Sequence, residues 1–114
     1  SSSSAASDVY KRQDEEIFGP ILQVHFVGSF SEAIDEANNT KFGLAASLIS
    51  DSRSLFDEFH SSINSGLVNF NATTTGASGA LPFGGVGKSG NYRPAGFYAA
   101  DFCAWPKSSV LKKL

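Results

Sequence analysis

ILQVHFVGSFSEAIDEANNTKFGLAASLISDSRSLFDEFHSSINSGLVNF, residues 21–70, changes its hydrophobic period four times. Residues 21–27 alternate: Leu22, Val24 and Phe26 on one side, Gln23 and His25 on the other, with Ile21 and Val27 on the second set. That pattern predicts a strand buried on one face and partly on the other. From Ser29 to about Asn38 the period becomes helical. Ser29 and Glu32 have capping-box spacing, Phe30, Ala33, Ile34 and Ala37 share a face, and Asn38-Asn39 with Gly43 end the run. Leu44 to Ile49 reads as a short apolar strand. Asp51 or Ser52 can cap a second helix, striped by Leu55, Phe56, Phe59 and Ile63 and stopped at Asn64-Ser65-Gly66. Leu67 to Phe70 is the third strand. The order is β-α-β-α-β, an α/β class, and each connection is long enough for a crossover helix, so the strands are expected to run parallel. Two helices cover one face only, so apolar surface should remain for other chain to bury.

Outward from this block, residues 66–91, GLVNFNATTTGASGALPFGGVGKSGN, lose periodicity and hold seven of the eleven glycines. A loop of this length on an α/β scaffold is more often a ligand loop than a passive connection. Beyond it, Arg93 to Trp105 reads as a helix with Pro94 at its first position and Pro106 as its stop. Lys107 to Leu114 reads as a strand-like tail. Upstream, Pro20 bars a helix and pushes Gly19 toward extended backbone. Residues 1–13 have no apolar period. Ser3 to Gln13, SSAASDVYKRQ, matches the in-frame translation of a common transposase sequencing adapter. They are expected to be an unpacked library scar, with the protein proper beginning near Asp14 and continuing a longer chain. The expected division is 1–13 scar, 14–106 the α/β block with its loop and final helix, and 107–114 a separate strand.

Composition narrows the function classes. At 114 residues the chain holds one domain at most, and its net charge of −2 gives no electrostatic case for nucleic acid or an anionic membrane. No apolar run approaches the roughly 20 residues needed to span a bilayer. There is no secretory leader, so a cytoplasmic location is expected and the sequons at Asn38 and Asn71 carry no weight. One cysteine excludes a disulfide framework or a cysteine-rich metal site. Cys103 sits in an apolar stretch with no histidine nearby, which favours a buried structural thiol over a nucleophile. His25 and His60 have no partner at ligand spacing, so no metal is expected.

Two motifs fail on context. Gly85-Val86-Gly87-Lys88-Ser89-Gly90 is a literal G-x-G-x-x-G, but no strand leads into it and Val110 stands where an acid would be needed. Gly87-Lys88-Ser89 lacks the first glycine of a phosphate loop, since Pro82 occupies that place. Glu15 and Glu16 have two readings of equal weight. One is a solvated charge pair. The other is a carboxylate placed by the rigid Phe18-Gly19-Pro20 turn to accept hydrogen bonds from a sugar diol.

Taken together, Glu15-Glu16-Ile17-Phe18-Gly19-Pro20, then Asn38-Asn39-Thr40 with Phe42-Gly43-Leu44, then Pro82-Phe83-Gly84-Gly85 and Ser89-Gly90, resemble the C-terminal part of the aldehyde dehydrogenase superfamily. The resemblance covers everything from Asp14 on. It departs from the usual pattern after Ser89: most members carry Gly-x-Gly-Arg-Glu from the position of Gly90, and here Tyr92 and Pro94 replace the second glycine and the glutamate. This run, with Thr74-Thr75-Gly76-Ala77-Ser78-Gly79 and the aromatic stretch up to Pro106, is similar to a branch whose aldehyde substrate carries carboxylates.

The resemblance implies the end of a catalytic domain plus a bridging strand that helps build homo-oligomers, with the nucleophilic cysteine, general-base glutamate and dinucleotide glycines all upstream. It implies an NAD(P) cofactor, with NAD expected, and the chemistry of cysteine addition, hydride transfer and thioester hydrolysis. By the same resemblance Glu16 would hold the nicotinamide ribose hydroxyls and Phe18 would pack near the nicotinamide. Phe83 would stand at the aldehyde pocket, and Gly76, Ala77 and Ser78, with Thr75 a weaker candidate, would receive a substrate carboxylate. Lys88 and Arg93 lie close by in sequence. A second class stays open at this point: a non-catalytic remnant that only binds or assembles.

Overall fold

Ser29 opens the first helix as expected. Its Oγ accepts the Glu32 N–H (3.1 Å), while the Glu32 carboxylate accepts the N–H of Gly28 (2.7 Å), one residue before the cap. This α1 runs Phe30–Asn38 in a computed structural model that describes residues 14–114. Residues 1–13, and the reading of them as a scar, lie outside the described part.

Strand β1 (Ala45–Leu48) follows, then α2 (Arg53–Ser62) and β2 (Leu67–Phe70). Of the two candidate caps for α2, Ser52 is the one used, its Oγ accepting the Leu55 N–H at 3.3 Å. Strands β1 and β2 pair in parallel, with Ala45 opposite Leu67 and Leu48 opposite Phe70. This is the β-α-β unit that the changes of period predict. Phe56 of α2 stacks on Phe70 of β2 with ring centroids 4.7 Å apart, which seats the helix on the sheet.

The structure departs from the sequence reading at four places. Residues 21–27 form no strand among the described residues. The run lies along α1, where His25 Nδ1 comes within 3.6 Å of Glu36, and the sheet of β1 and β2 has only two strands. An alternating run becomes a strand only where another backbone accepts its N–H groups, and no such neighbour lies beside it here. The predicted helix at 93–105 shrinks to α3, Ala99–Phe102. Ahead of it, β4 (Ala95–Gly96) pairs antiparallel with β3 (Pro82–Phe83), and Gly96 takes a φ of 63° that a right-handed helix excludes. Residues 107–114 pair with nothing in the described sheets. Cys103, read as buried, is exposed, because nothing among the described residues closes over the apolar stretch around it.

Among the described residues only Ile34 on α1 and Phe59 on α2 are buried, while twenty large apolar side chains are exposed, Phe18, Phe26 and Trp105 among them.

Candidate active site

Three stretches of chain meet where the structure is tightest: the turn 40–43, the segment 64–66 and the loop 84–90. The Gly43 carbonyl accepts two N–H groups, from Val86 (2.9 Å) and Gly66 (3.2 Å), and the Lys41 carbonyl accepts the N–H of Lys88 (2.8 Å). The Gly43 N–H donates to Ser89 Oγ (3.1 Å). Side chains are excluded from this crossing by contact. A Cβ on Gly66 would overlap the Gly84 carbonyl, whose carbon would be 2.7 Å away. Gly87 has a φ of 57° and lies against the Lys41 carbonyl, so it needs both left-handed backbone and the absence of a side chain. The tight passage expected at Gly84–Gly90 is therefore built from backbone against backbone. A strand does precede the glycine motif 85–90, contrary to the sequence reading, but β3 is only two residues long and antiparallel to β4, and the motif holds a single 3₁₀ turn, Gly87–Ser89, not the start of a nucleotide-binding helix.

Beside the crossing lies a hollow of about 540 Å³ lined by Glu16, Thr40, Phe42, Gly43, Lys88 and Ser89, among others. Glu16 is exposed there, and its carboxylate makes no hydrogen bond among the described residues. Ser65 also lines the hollow, and its Oγ is buried with no hydrogen-bond partner among the described residues.

The loop between β2 and β3 is tied at both ends. Ser47 Oγ donates to the Ala72 carbonyl (2.6 Å), Asn69 Nδ2 to that of Thr73 (2.7 Å), and the Thr73 and Thr75 hydroxyls bond each other (2.7 Å). At the far end Ser78 Oγ accepts from Ala80 N–H (3.2 Å) and the Ser78 carbonyl from Leu81 N–H (3.1 Å). Between these anchors the N–H groups of Gly76, Ala77 and Ser78 donate to nothing among the described residues, and space beside Gly76 is open. Phe83 sits in β3, 37% exposed. Phe18 projects freely, 93% exposed. The structure thus brings Glu16 to Lys88 and Ser89, but leaves Gly76–Ser78, Phe83 and Phe18 outside that hollow.

Two residues to which the sequence reading gave no bonding role hold the site together. Asp14 uses both carboxylate oxygens on the turn at 40–41, accepting from Thr40 Oγ1 (2.5 Å) and the Lys41 N–H (2.6 Å). Asn38 donates to the Ser62 carbonyl and accepts from the Asn64 N–H, both at 2.8 Å. Neither role has a local signal, since the partners stand more than twenty residues away. Tyr92, where most members of the superfamily have glycine, keeps a left-handed φ of 63°.

A family model, described as the aldehyde dehydrogenase family, matches residues 5–108. The chain belongs to the aldehyde dehydrogenase family. It is 51% identical over 104 residues to N-succinylglutamate 5-semialdehyde dehydrogenase of Paraburkholderia xenovorans, covering 91% of this chain and 21% of that protein. Among solved structures it resembles a salicylaldehyde dehydrogenase from Pseudomonas putida complexed with salicylaldehyde, with a TM-score of 0.73 and 31% identity over 78% of this chain and 18% of that one. An NAD-dependent aldehyde dehydrogenase from Sinorhizobium meliloti gives a TM-score of 0.69 and 38% identity, covering 76% and 17%. The chain spans about a fifth of the length of the curated relatives it matches.

Proposed function

We propose that this chain is part of an NAD-dependent oxidoreductase that converts N-succinyl-L-glutamate 5-semialdehyde to N-succinyl-L-glutamate in arginine catabolism. The full-length protein supplies the nucleophilic cysteine and the general base and works as a homo-oligomer, with residues 107–114 as a bridging strand. The names of the relatives support the reaction class. The observation in this chain that carries the substrate is the trio of undonated N–H groups at Gly76, Ala77 and Ser78, exposed in a loop anchored on both sides. Successive free N–H groups form a concavity for an anion. The proposed substrate brings two carboxylates that must not be left desolvated. Phe83 packs on its aliphatic chain.

The residues present fit the cofactor. Glu16 offers an exposed carboxylate, with no hydrogen bond among the described residues, on a hollow beside Lys88. It would hold the ribose hydroxyls through charge-assisted hydrogen bonds, and Phe18 would pack beside the nicotinamide. Bound NAD supplies the hydride acceptor.

The test compares kcat/KM for the succinylated semialdehyde with that for an uncharged aldehyde of similar length, in the full-length protein. Gly76 has a φ of 124°, so Gly76→Val displaces the backbone N–H groups as well as narrowing the approach. The charged substrate is expected to lose on the order of a hundredfold, about two charge-assisted hydrogen bonds, and the uncharged one under tenfold. Ser78→Ala should repeat the selective loss more mildly. Equal losses for both aldehydes would refute the carboxylate assignment.

A further inference from the structure

We infer that Asp14 is a positioning residue for the cofactor: it fixes where the Glu16 carboxylate stands. The inference rests on the reading of Glu16 given above and extends it to a residue that touches neither cofactor nor substrate. Among the described residues, the hydrogen bonds that tie segment 14–20 to the rest of the fold all come from Asp14. Among the described residues, residues 15–20 take part in only one hydrogen bond, a local one in which the Ile21 N–H donates to the Gly19 carbonyl. Glu16 therefore stands on a short arm hinged at Asp14.

The hinge is built on the same turn as the glycine crossing. Asp14 accepts from the Thr40 hydroxyl at 2.5 Å and the Lys41 N–H at 2.6 Å, one oxygen each, and Thr40 Oγ1 in turn accepts the Phe42 N–H at 3.1 Å. Bonds to an ionised acceptor are short and directional, which suits a hinge. The same few residues present the Lys41 carbonyl to Lys88 and the Gly43 carbonyl to Val86. Asp14 thus reads its position from the backbone that carries Lys88 and Ser89, and hands it to Glu16 two residues on. Glu16, Thr40, Phe42, Lys88 and Ser89 then line one hollow.

The experiment measures the dissociation constant of NAD by equilibrium titration, without aldehyde, in the full-length protein and in Asp14→Ala, Glu16→Ala and the double variant. Asp14→Ala is expected to weaken NAD about tenfold, the loss of roughly one net charge-assisted hydrogen bond at Glu16. The aldehyde KM at saturating NAD should move less than twofold. Asp14→Asn retains an acceptor for the Lys41 N–H, so its loss should be smaller, about threefold. It also serves if the alanine variant does not fold. The decisive comparison is the double variant. If Asp14 acts through Glu16, adding Asp14→Ala to Glu16→Ala costs nothing further. Additive losses, or an Asp14→Ala protein that binds NAD normally while Glu16→Ala does not, would overturn this inference and leave the Glu16 reading intact. A Glu16→Ala protein with unchanged NAD affinity would overturn both.

Discussion

At Gly66 a single methyl group has nowhere to go. Its Cβ would fall within the Gly84 carbonyl and 3.0 Å from the Gly85 Cα, both parts of a backbone held by hydrogen bonds. Overpacking a rigid site costs about 1–3 kcal/mol and at times more. Gly66→Ala should sit at the upper end and lower the melting temperature of the full-length protein, about five times the length of this chain, by roughly 3 °C. Gly79→Ala is the matched control, since a Cβ there meets nothing within 4 Å, and it should change the melting temperature little. Comparable melting temperatures for both variants would mean that the loop at 84–85 gives way. Tyr92 shows the opposite tolerance. It holds the left-handed backbone usual for glycine at a cost of about 1–2 kcal/mol, with its ring 87% exposed. The Asn91 Oδ1, accepting the Arg93 N–H at 3.0 Å, helps keep that turn.

Among the elements, Asn38 is the strap. Its amide spans the end of α1 to the end of α2, donating to Ser62 and accepting from Asn64. Asn38→Ala should cost about 1–2 kcal/mol, less than a buried pair because the freed groups reach water. Asn38→Asp, which keeps the acceptor and loses the donor, should fall between alanine and wild type in thermal denaturation. An alanine variant as stable as wild type would show the strap to be incidental. In the sequence Asn38 reads as a helix stop and as part of a family motif, with no bonding partner in view, and this marks where legibility ends. The caps at Ser29 and Ser52 and the stripe on α2 were readable because each depends on neighbours a few residues away, and the parallel pairing of β1 with β2 because a helix between two strands makes a parallel crossover. The run 21–27 shows its alternation in the sequence, yet alternation does not provide a partner. The aromatic stretch after Arg93 has helical composition, but β3 captures Ala95–Gly96 first, and that long-range pairing outweighs local propensity. At the candidate site, the motifs marked Glu16 and the glycine passage, while Asp14 stayed hidden because its carboxylate acts across the fold.

At the scale of the molecule, two buried apolar side chains against twenty exposed large ones among the described residues make a surface that suits being covered. The chain also amounts to about a fifth of its relatives' length. The 114 residues by themselves are expected to show no dehydrogenase activity, since the proposed chemistry needs a nucleophile and a base that no motif here supplies, and Cys103 has no activating partner among the described residues. Reduction of NAD in the presence of an aldehyde, lost on Cys103→Ala, would contradict this. Within the chain, the shared Gly43 carbonyl has a dynamic consequence. It accepts from Gly66, which leads into β2, and from Val86 in the glycine loop, so neither can breathe without weakening the other's acceptor turn. Lys88 hangs from the same turn through Lys41. Fluctuations of the sheet end and of the loop are thereby fused into one slow opening, and the amide protons of Gly66, Val86 and Lys88 should exchange with solvent together, as a single unit, while those of Gly76–Ser78 exchange freely.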